Sequence, residues 1–315
     1  MSSDAWMWLG FNLAVVVLLF LDLKVFHRAS RVIGVREALL WSGFWIGLSL
    51  LFNLGIYFWD GRETALKFFT AYVVEKSLSV DNLFVFLLIF SYFGVPDEYR
   101  HKVLFWGIVG AIVMRLAFIL AGVTLIEHFT WALYLLGALL ILAAIRLAIR
   151  KDAPVHPEKN FVLRLFRRLV PVTDGYEGDM FFVRRAGRYL ATPLLVVVVV
   201  IETTDIVFAI DSVPAVLGIT TNTFIAYSSN VCAVLGLRAL YFALAGIIGM
   251  FRYLHYGLVA ILLFIGVKLM VAEVYEMPVG IALAVVGGIL LVSIVASLLR
   301  PRRAEPPEGG TGGQA

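Results

Sequence analysis

Nine stretches of this chain are mostly apolar and about the length of one bilayer crossing: 6–26, 38–59, 66–91, 103–126, 129–149, 191–216, 223–250, 254–274 and 277–299. A spanning helix needs about 20 such residues. Backbone groups find no water in the hydrocarbon region, so these stretches are held to helical conformation. The chain is 61% hydrophobic with a mean hydropathy of +0.93, against roughly 45–50% apolar for soluble domains. The expected fold is all-α: a polytopic membrane protein with about nine transmembrane helices. The lipid bilayer is then an obligatory partner. The net charge of +4 is no argument for nucleic acid. The single Cys232 rules out a disulfide framework and a cysteine metal site. Residues 1–4 carry no basic segment, so 6–26 is expected to be a retained first helix and not a cleaved signal peptide.

Basic residues sort onto one side of this arrangement. Lys24, Arg28, Arg31 and Arg36 surround the first connection, and Arg100 and Lys102 follow the third span. Nine more lie between Arg150 and Arg188, Arg252 follows the seventh span, and Arg300, Arg302 and Arg303 follow the last. The alternate side has only Arg62 and Lys67. The positive-inside rule therefore places the N-terminus outside and the C-terminus in the cytoplasm. The expected organisation is one transmembrane domain over 1–300 with a basic cytoplasmic loop at 150–190. Within that loop, 160–170 has the pattern of a short amphipathic surface helix or of an ordinary basic loop, and the text around Gly187 suggests a small hairpin. Residues 301–315 are Pro, Gly and charge, which predicts a disordered tail.

Two spans carry carboxylates where hydrocarbon is expected. Span three contains Glu75-Lys-Ser-Leu-Ser-Val-Asp81-Asn82, and span six contains Glu202-Thr-Thr-Asp205-Ile-Val-Phe-Ala-Ile-Asp211-Ser212-Val-Pro214. An ionised group at that depth costs a few kcal/mol or more, and such residues usually mark an ion or proton path. In each span an acid stands six positions before an aspartate. These spans also open two similar blocks, 66–149 and 191–274. Asp81 is followed by Arg115 and Arg146, and Asp211 by Arg238 and Lys268. Each block has three spans, an odd number, so the two cross in opposite directions. An inverted 3+3 repeat of this kind is common in secondary transporters, with the substrate site at the repeat interface.

Six residues on a straight helix correspond to roughly 9 Å along the axis and about 120° around it. Glu75 and Asp81, or Asp205 and Asp211, cannot then reach one ion from an unbroken helix. Either the helices are interrupted near the aspartates, or the acids form two layers. Pro214 favours interruption, because it frees the carbonyl of Ile210. The available ligands are oxygens: carboxylates, Asn82, Ser79, Ser212, Thr204 and that carbonyl. Such a set suits Mg, Ca or Mn. The five histidines (His27, His101, His128, His156 and His255) fall at span ends or in loops. Glu75, Asp81, Glu202, Asp205 and Asp211, set against Lys76, Arg115 and Arg238, leave a charge that one divalent cation would balance. Buried ion pairs between these acids and arginines are the plainer alternative.

The segments at 75–86 and 202–215 resemble the signature segments of the TerC family, particularly its Alx-type branch. Leu21-Asp22-Leu-Lys-Val-Phe-His27-Arg28, Ala38-Leu-Leu-Trp-Ser42 and Ala191-Thr-Pro193 are similar to that family too, and the resemblance runs from about residue 10 to 299. It implies an inner-membrane metal transporter, with Mn2+ export as the leading activity, no permanently bound cofactor, and Mn2+ as the transported ion. The family is also linked by name to tellurium resistance. The implied metal residues are Glu75, Asp81, Asn82, Glu202, Asp205 and Asp211. Asp22 matches family text as well, either at the mouth of the path or as an interfacial residue. Two other functions compete with transport. One is an intramembrane aspartyl-type enzyme, whose carboxylates would share a proton. The other is an accessory protein that supplies metal at a secretion apparatus and binds its protein partner through the 150–190 loop.

Overall fold

The computed structural model describes residues 3–27, 34–129, 131–149, 161–185, 187–245, 253–272, 274–275 and 277–299. The tail expected to be disordered lies outside these residues, as do 150–160 of the basic loop and 246–250 of the seventh span. The described chain is a bundle of helices with one small hairpin. In order, they are α1 (Ser3–His27), α2 (Val35–Tyr92), α3 (Asp97–His128), α4 (Trp131–Ile149), α5 (Phe161–Leu169), β1 (Phe182–Arg185), β2 (Arg188–Ala191), α6 (Pro193–Leu217), α7 (Thr223–Leu235), α8 (Leu237–Ala245), α9 (Leu254–Met270) and α10 (Val279–Leu299). Among the described residues, six helices are long and apolar enough to cross a membrane, or seven with α7 and α8 taken as one bent span. Leu40, Phe58 and Leu142, among many others, face outward with no protein partner surface. That pattern suits lipid and would be a liability in water.

Two departures from straight spans centre on glycines. α2 covers both the second and the third expected span, and the connection expected between them is helical apart from Gly61. That residue has φ +89° and ψ 176°, a conformation costly for any residue with a Cβ. The seventh expected span is not continuous: α7 and α8 meet at Gly236 with a 40° bend. A Cβ on Gly236 would lie 2.9 Å from Lys76 Nζ and 2.9 Å from Trp45 Cβ. The nine crossings expected would require both arms of α2 to cross and the 17-residue α9 to span together with the residues after it.

Helix pairing has an internal regularity. The broadest contacts are α4 with α9, α2 with α7, and α3 with α6; α2 with α6 and α3 with α7 also pack. Exchange α2 for α6, α3 for α7 and α4 for α9, and this set of pairs maps onto itself. The α4–α9 crossing is close because Gly137 and Gly266 face one another. A Cβ on either would come within 3.0 Å of the other's carbonyl oxygen. Small residues at a crossing let helix backbones approach in this way.

Segments expected on one side of the membrane gather together. Residues 62–64, 66–67, 217–222 and 277–280 line a single cavity of about 840 Å³. At the other set of connections, Lys102 bonds Asp179 and the Tyr176 hydroxyl donates to the Phe93 carbonyl at 2.8 Å. The described part of the basic loop is ordered structure: α5, then the antiparallel β1–β2 hairpin turning at Gly187, which has φ +79°. Both α5 and β2 pack on α6.

Candidate ion-binding site

Glu75, Ser79 and Asn82 recur at i, i+4 and i+7 on α2, so they share one face of the helix, and all three are buried. The Glu75 carboxylate bonds Arg115 Nη1 of α3. Arg115 turns the rest of its guanidinium toward α6. Its Nη2 lies 3.2 Å from Asp205 Oδ1 and its Nε 3.3 Å from Asp205 Oδ2, a two-pronged contact. Nη1 also donates to Ser212 Oγ at 3.3 Å. Asp205 and Ser212 are seven apart and lie on one face of α6. One side chain, 1% exposed, thus joins α2, α3 and α6. Leaving a single partner of such a buried pair costs about 3–5 kcal/mol.

The other acids sit elsewhere. Glu202 is half-buried on α6, its carboxylate lying in the notch left by Gly110 of α3, where a methyl group would overlap it. Asp211 is half-buried on a different face of α6 from Asp205, within electrostatic reach of Arg146. The side chain of Asp81 lies outside the described residues. Among the described residues, no three His, Cys, Asp or Glu side chains gather as a metal cluster. Glu75 and Asp205 are brought together, but around a guanidinium.

Neither acid-bearing helix is interrupted at its aspartates. α2 is helical through Asp81, and α6 is helical through Asp211 and past Pro214 to Leu217. Of the two alternatives in the sequence, layered acids fit this geometry and interruption at Pro214 does not. The break falls in α7–α8 instead. It strips donors from the last carbonyls of α7, and Lys76 Nζ donates to one of them, Ala233, at 3.0 Å. A cation also suits the negative end of a helix dipole. Thr204, considered as a ligand, spends its hydroxyl on the Val200 carbonyl at 2.7 Å.

Arg238 of α8 has its own acid. Its Nη2 lies 2.6 Å from Asp22 Oδ2 and 2.7 Å from the Asp22 carbonyl of α1. Asp22 is therefore buried inside the protein and paired with α8. A mid-span arginine needs an acid, and Asp22 is the acid of the first span; that pairing rule was the available signal. Asn230 of α7 is a residue the sequence did not single out, and it is fully buried.

Comparisons with known proteins agree with this architecture. The family model described as integral membrane protein TerC family matches residues 60–305. An uncharacterised membrane protein of Myxococcus xanthus is 44% identical over 298 residues, covering 95% of this chain and 93% of its own length. A protein of Salmonella typhi provisionally named membrane-bound redox modulator Alx is 42% identical, covering 92% of each chain. Its namesake in Escherichia coli K12 is 39% identical over 313 residues, covering 96% of this chain and 98% of its own length. No solved structure matches. Motifs, helical architecture and full-length relatives converge, and the chain belongs to the TerC family of integral membrane proteins.

Proposed function

We propose that this chain is a secondary transporter of divalent metal ions in the bacterial inner membrane, exporting Mn2+ between two inverted three-helix repeats. The observation that carries this most is the joint hold of Glu75 and Asp205 on Arg115. The guanidinium is an internal counter-cation for an oxygen-rich site. An arriving divalent ion competes for the same carboxylates, and Arg115 neutralises them again once the ion has left. Protonation of the same carboxylates offers an exchange route. The self-mapping helix pairs support the repeat, and the one-sided basic residues support an outside N-terminus and a cytoplasmic C-terminus.

Other readings have less support. A proton-sharing dyad needs two free carboxylates close together, whereas Glu75 and Asp205 are both committed to Arg115. The Alx relatives are named for redox modulation. A thiol–disulfide couple needs two thiols, and this chain has one cysteine, Cys232, which is buried. Any redox effect is then most simply a consequence of the metal moved. Uptake of Mn2+ into proteoliposomes, with and without a pH gradient, tests the proposal. Export should fall in Asp81→Ala and Asp211→Ala. Unchanged flux in both variants would sink it.

A further inference from the structure

α1 and the first arm of α2 do not close fully on each other. Between them lies an apolar groove of about 570 Å³, which α7 also lines. Its register is fixed by contacts. Trp8 meets Phe224 edge to face at 5.3 Å, and Asp22 pairs with Arg238, so α1 runs parallel to α7 and on toward α8. Phe11 meets Phe52 at 5.3 Å, while Trp45 lies beside Gly236, so α2 runs the other way. Trp6 and Trp59 therefore stand at one end of the groove, and Leu18 and Trp45 at the other.

The helical rise makes the groove about 18 Å long on α1 and about 21 Å long on α2. One leaflet has about 15 Å of hydrocarbon, or about 20–22 Å with its headgroup region. The groove thus runs from one membrane surface to the bilayer midplane. Trp6 and Trp59 are both well exposed, and they mark the surface end as tryptophans do at an interface. Spread over that length, the volume gives a bore of roughly 6 Å. A helix with its side chains is about 10–12 Å across and does not fit. The long side opens to lipid, where Gly10, Ala14, Leu51 and Gly55 are exposed. Water finds little to hold it. Among the described lining residues, Ser49 and Cys232 are the polar side chains besides the indoles, and the Ser49 hydroxyl already donates to the Trp45 carbonyl at 2.8 Å. An apolar space without polar partners stays dry, and left empty it forfeits contacts along its whole lining.

We infer that this groove is a lipid site, holding one acyl chain of a phospholipid whose headgroup lies at the Trp6–Trp59 end. The chain lies along the helices and ends near Leu18 and Trp45. It supplies the packing that α1 and α2 do not give each other, so α1 docks partly through lipid. The polar ties of α1 lie on its α7–α8 side: the Asp22–Arg238 pair, and Asn12, which accepts from the Tyr227 hydroxyl at 2.8 Å. The lipid completes the opposite side. This site goes beyond the transporter reading and does not depend on it; it needs only that α1, α2 and α7 stand in a bilayer.

The test uses the full chain, purified in detergent and stripped of lipid. Dioleoyl and dihexanoyl phosphatidylglycerol are the probes, with one headgroup and long or short chains. Native mass spectrometry counts bound phospholipid and protein copies, and thermal unfolding reports stabilisation, because a ligand of the folded state raises Tm. Gly55→Leu fills the groove; a Cβ there meets no atom within 4 Å. The expected result is that the wild type binds one dioleoyl lipid more than Gly55→Leu and gains a Tm rise that the variant lacks. Without lipid, the Tm of the variant should be at or above that of the wild type. Equal lipid binding by wild type and Gly55→Leu would overturn the site. So would an equal Tm rise with the dihexanoyl lipid, which would make the headgroup the ligand. A wild-type dimer that Gly55→Leu turns into a monomer would also overturn it, because a second copy then fills the groove. Should Gly55→Leu fail to fold, Gly10→Leu on the α1 wall, where a Cβ is equally unobstructed, reads the same groove with the same outcomes.

Discussion

Arg115 presents Nε and Nη2 to the two oxygens of Asp205, at 3.3 and 3.2 Å, while Nη1 holds Glu75. Lysine carries the same charge but cannot make this fork. Arg115→Lys should therefore fold with lower stability, and Arg115→Ala should lose about 3–5 kcal/mol by stranding two buried carboxylates. Thermal unfolding in detergent measures both. Equal stability of wild type and Arg115→Ala would show that the site is wet and the pairing idle.

Asp22 and Arg238 tie α1 to α8. Asp22→Asn and Arg238→Gln should each destabilise, and the double variant should lose less than their sum. A double-mutant cycle on unfolding should return a coupling of about 0.5–3 kcal/mol. Strict additivity would mean that the ion pair contributes nothing.

Gly110 makes room for the Glu202 carboxylate. Gly110→Ala should push Glu202 from its notch and lower Mn2+ flux, and Gly110→Leu should do so more severely. The comparison to make is flux against Glu202→Gln. If Gly110→Leu is normal while Glu202→Gln is dead, the position of Glu202 is unimportant and only its charge counts.

Tyr176 ties the basic loop to the end of α2 through its bond to the Phe93 carbonyl. Burial also pushes the Tyr176 hydroxyl above the usual tyrosine range, so it keeps its proton and remains a donor. Tyr176→Phe should cost about 1 kcal/mol and raise proteolysis of the loop without altering flux. A loss of flux would place the loop in the transport cycle.

Orientation is checked by labelling. In a Cys232→Ser background, Arg62→Cys should react with an impermeant maleimide from outside the cell, and Lys102→Cys only from the cytoplasmic side. The reverse pattern would invert the topology.

Much of this was legible along the chain because hydropathy and helical period are local properties. The apolar runs predicted where helices would be, and Glu75 and Asp205 stood out because ionised groups in such runs need a reason. Asn230 gave no such signal. An asparagine in an apolar run is ordinary text until its two amide atoms are found buried without partners. Pro214 misled in the opposite direction. A proline removes one backbone bond, but the packing of α6 on α2 and α3 keeps the helix going past it. Glycine is required at Gly236, where α7 meets α8, because Trp45 and Lys76 leave no room for a side chain, and those neighbours are more than 150 positions away.

By itself, then, the sequence determined that this is a helical membrane protein, which spans carry acids, and that arginines stand in mid-span to meet them. Each follows from the free energy of placing a residue type in hydrocarbon, which depends on the residue and its close neighbours in the chain. Only the tertiary structure decided the partners: Arg115 with Glu75 and Asp205, Arg238 with Asp22, Lys76 with the broken end of α7. Partner choice depends on where helices cross and how far each side chain reaches, and no local pattern encodes the crossing.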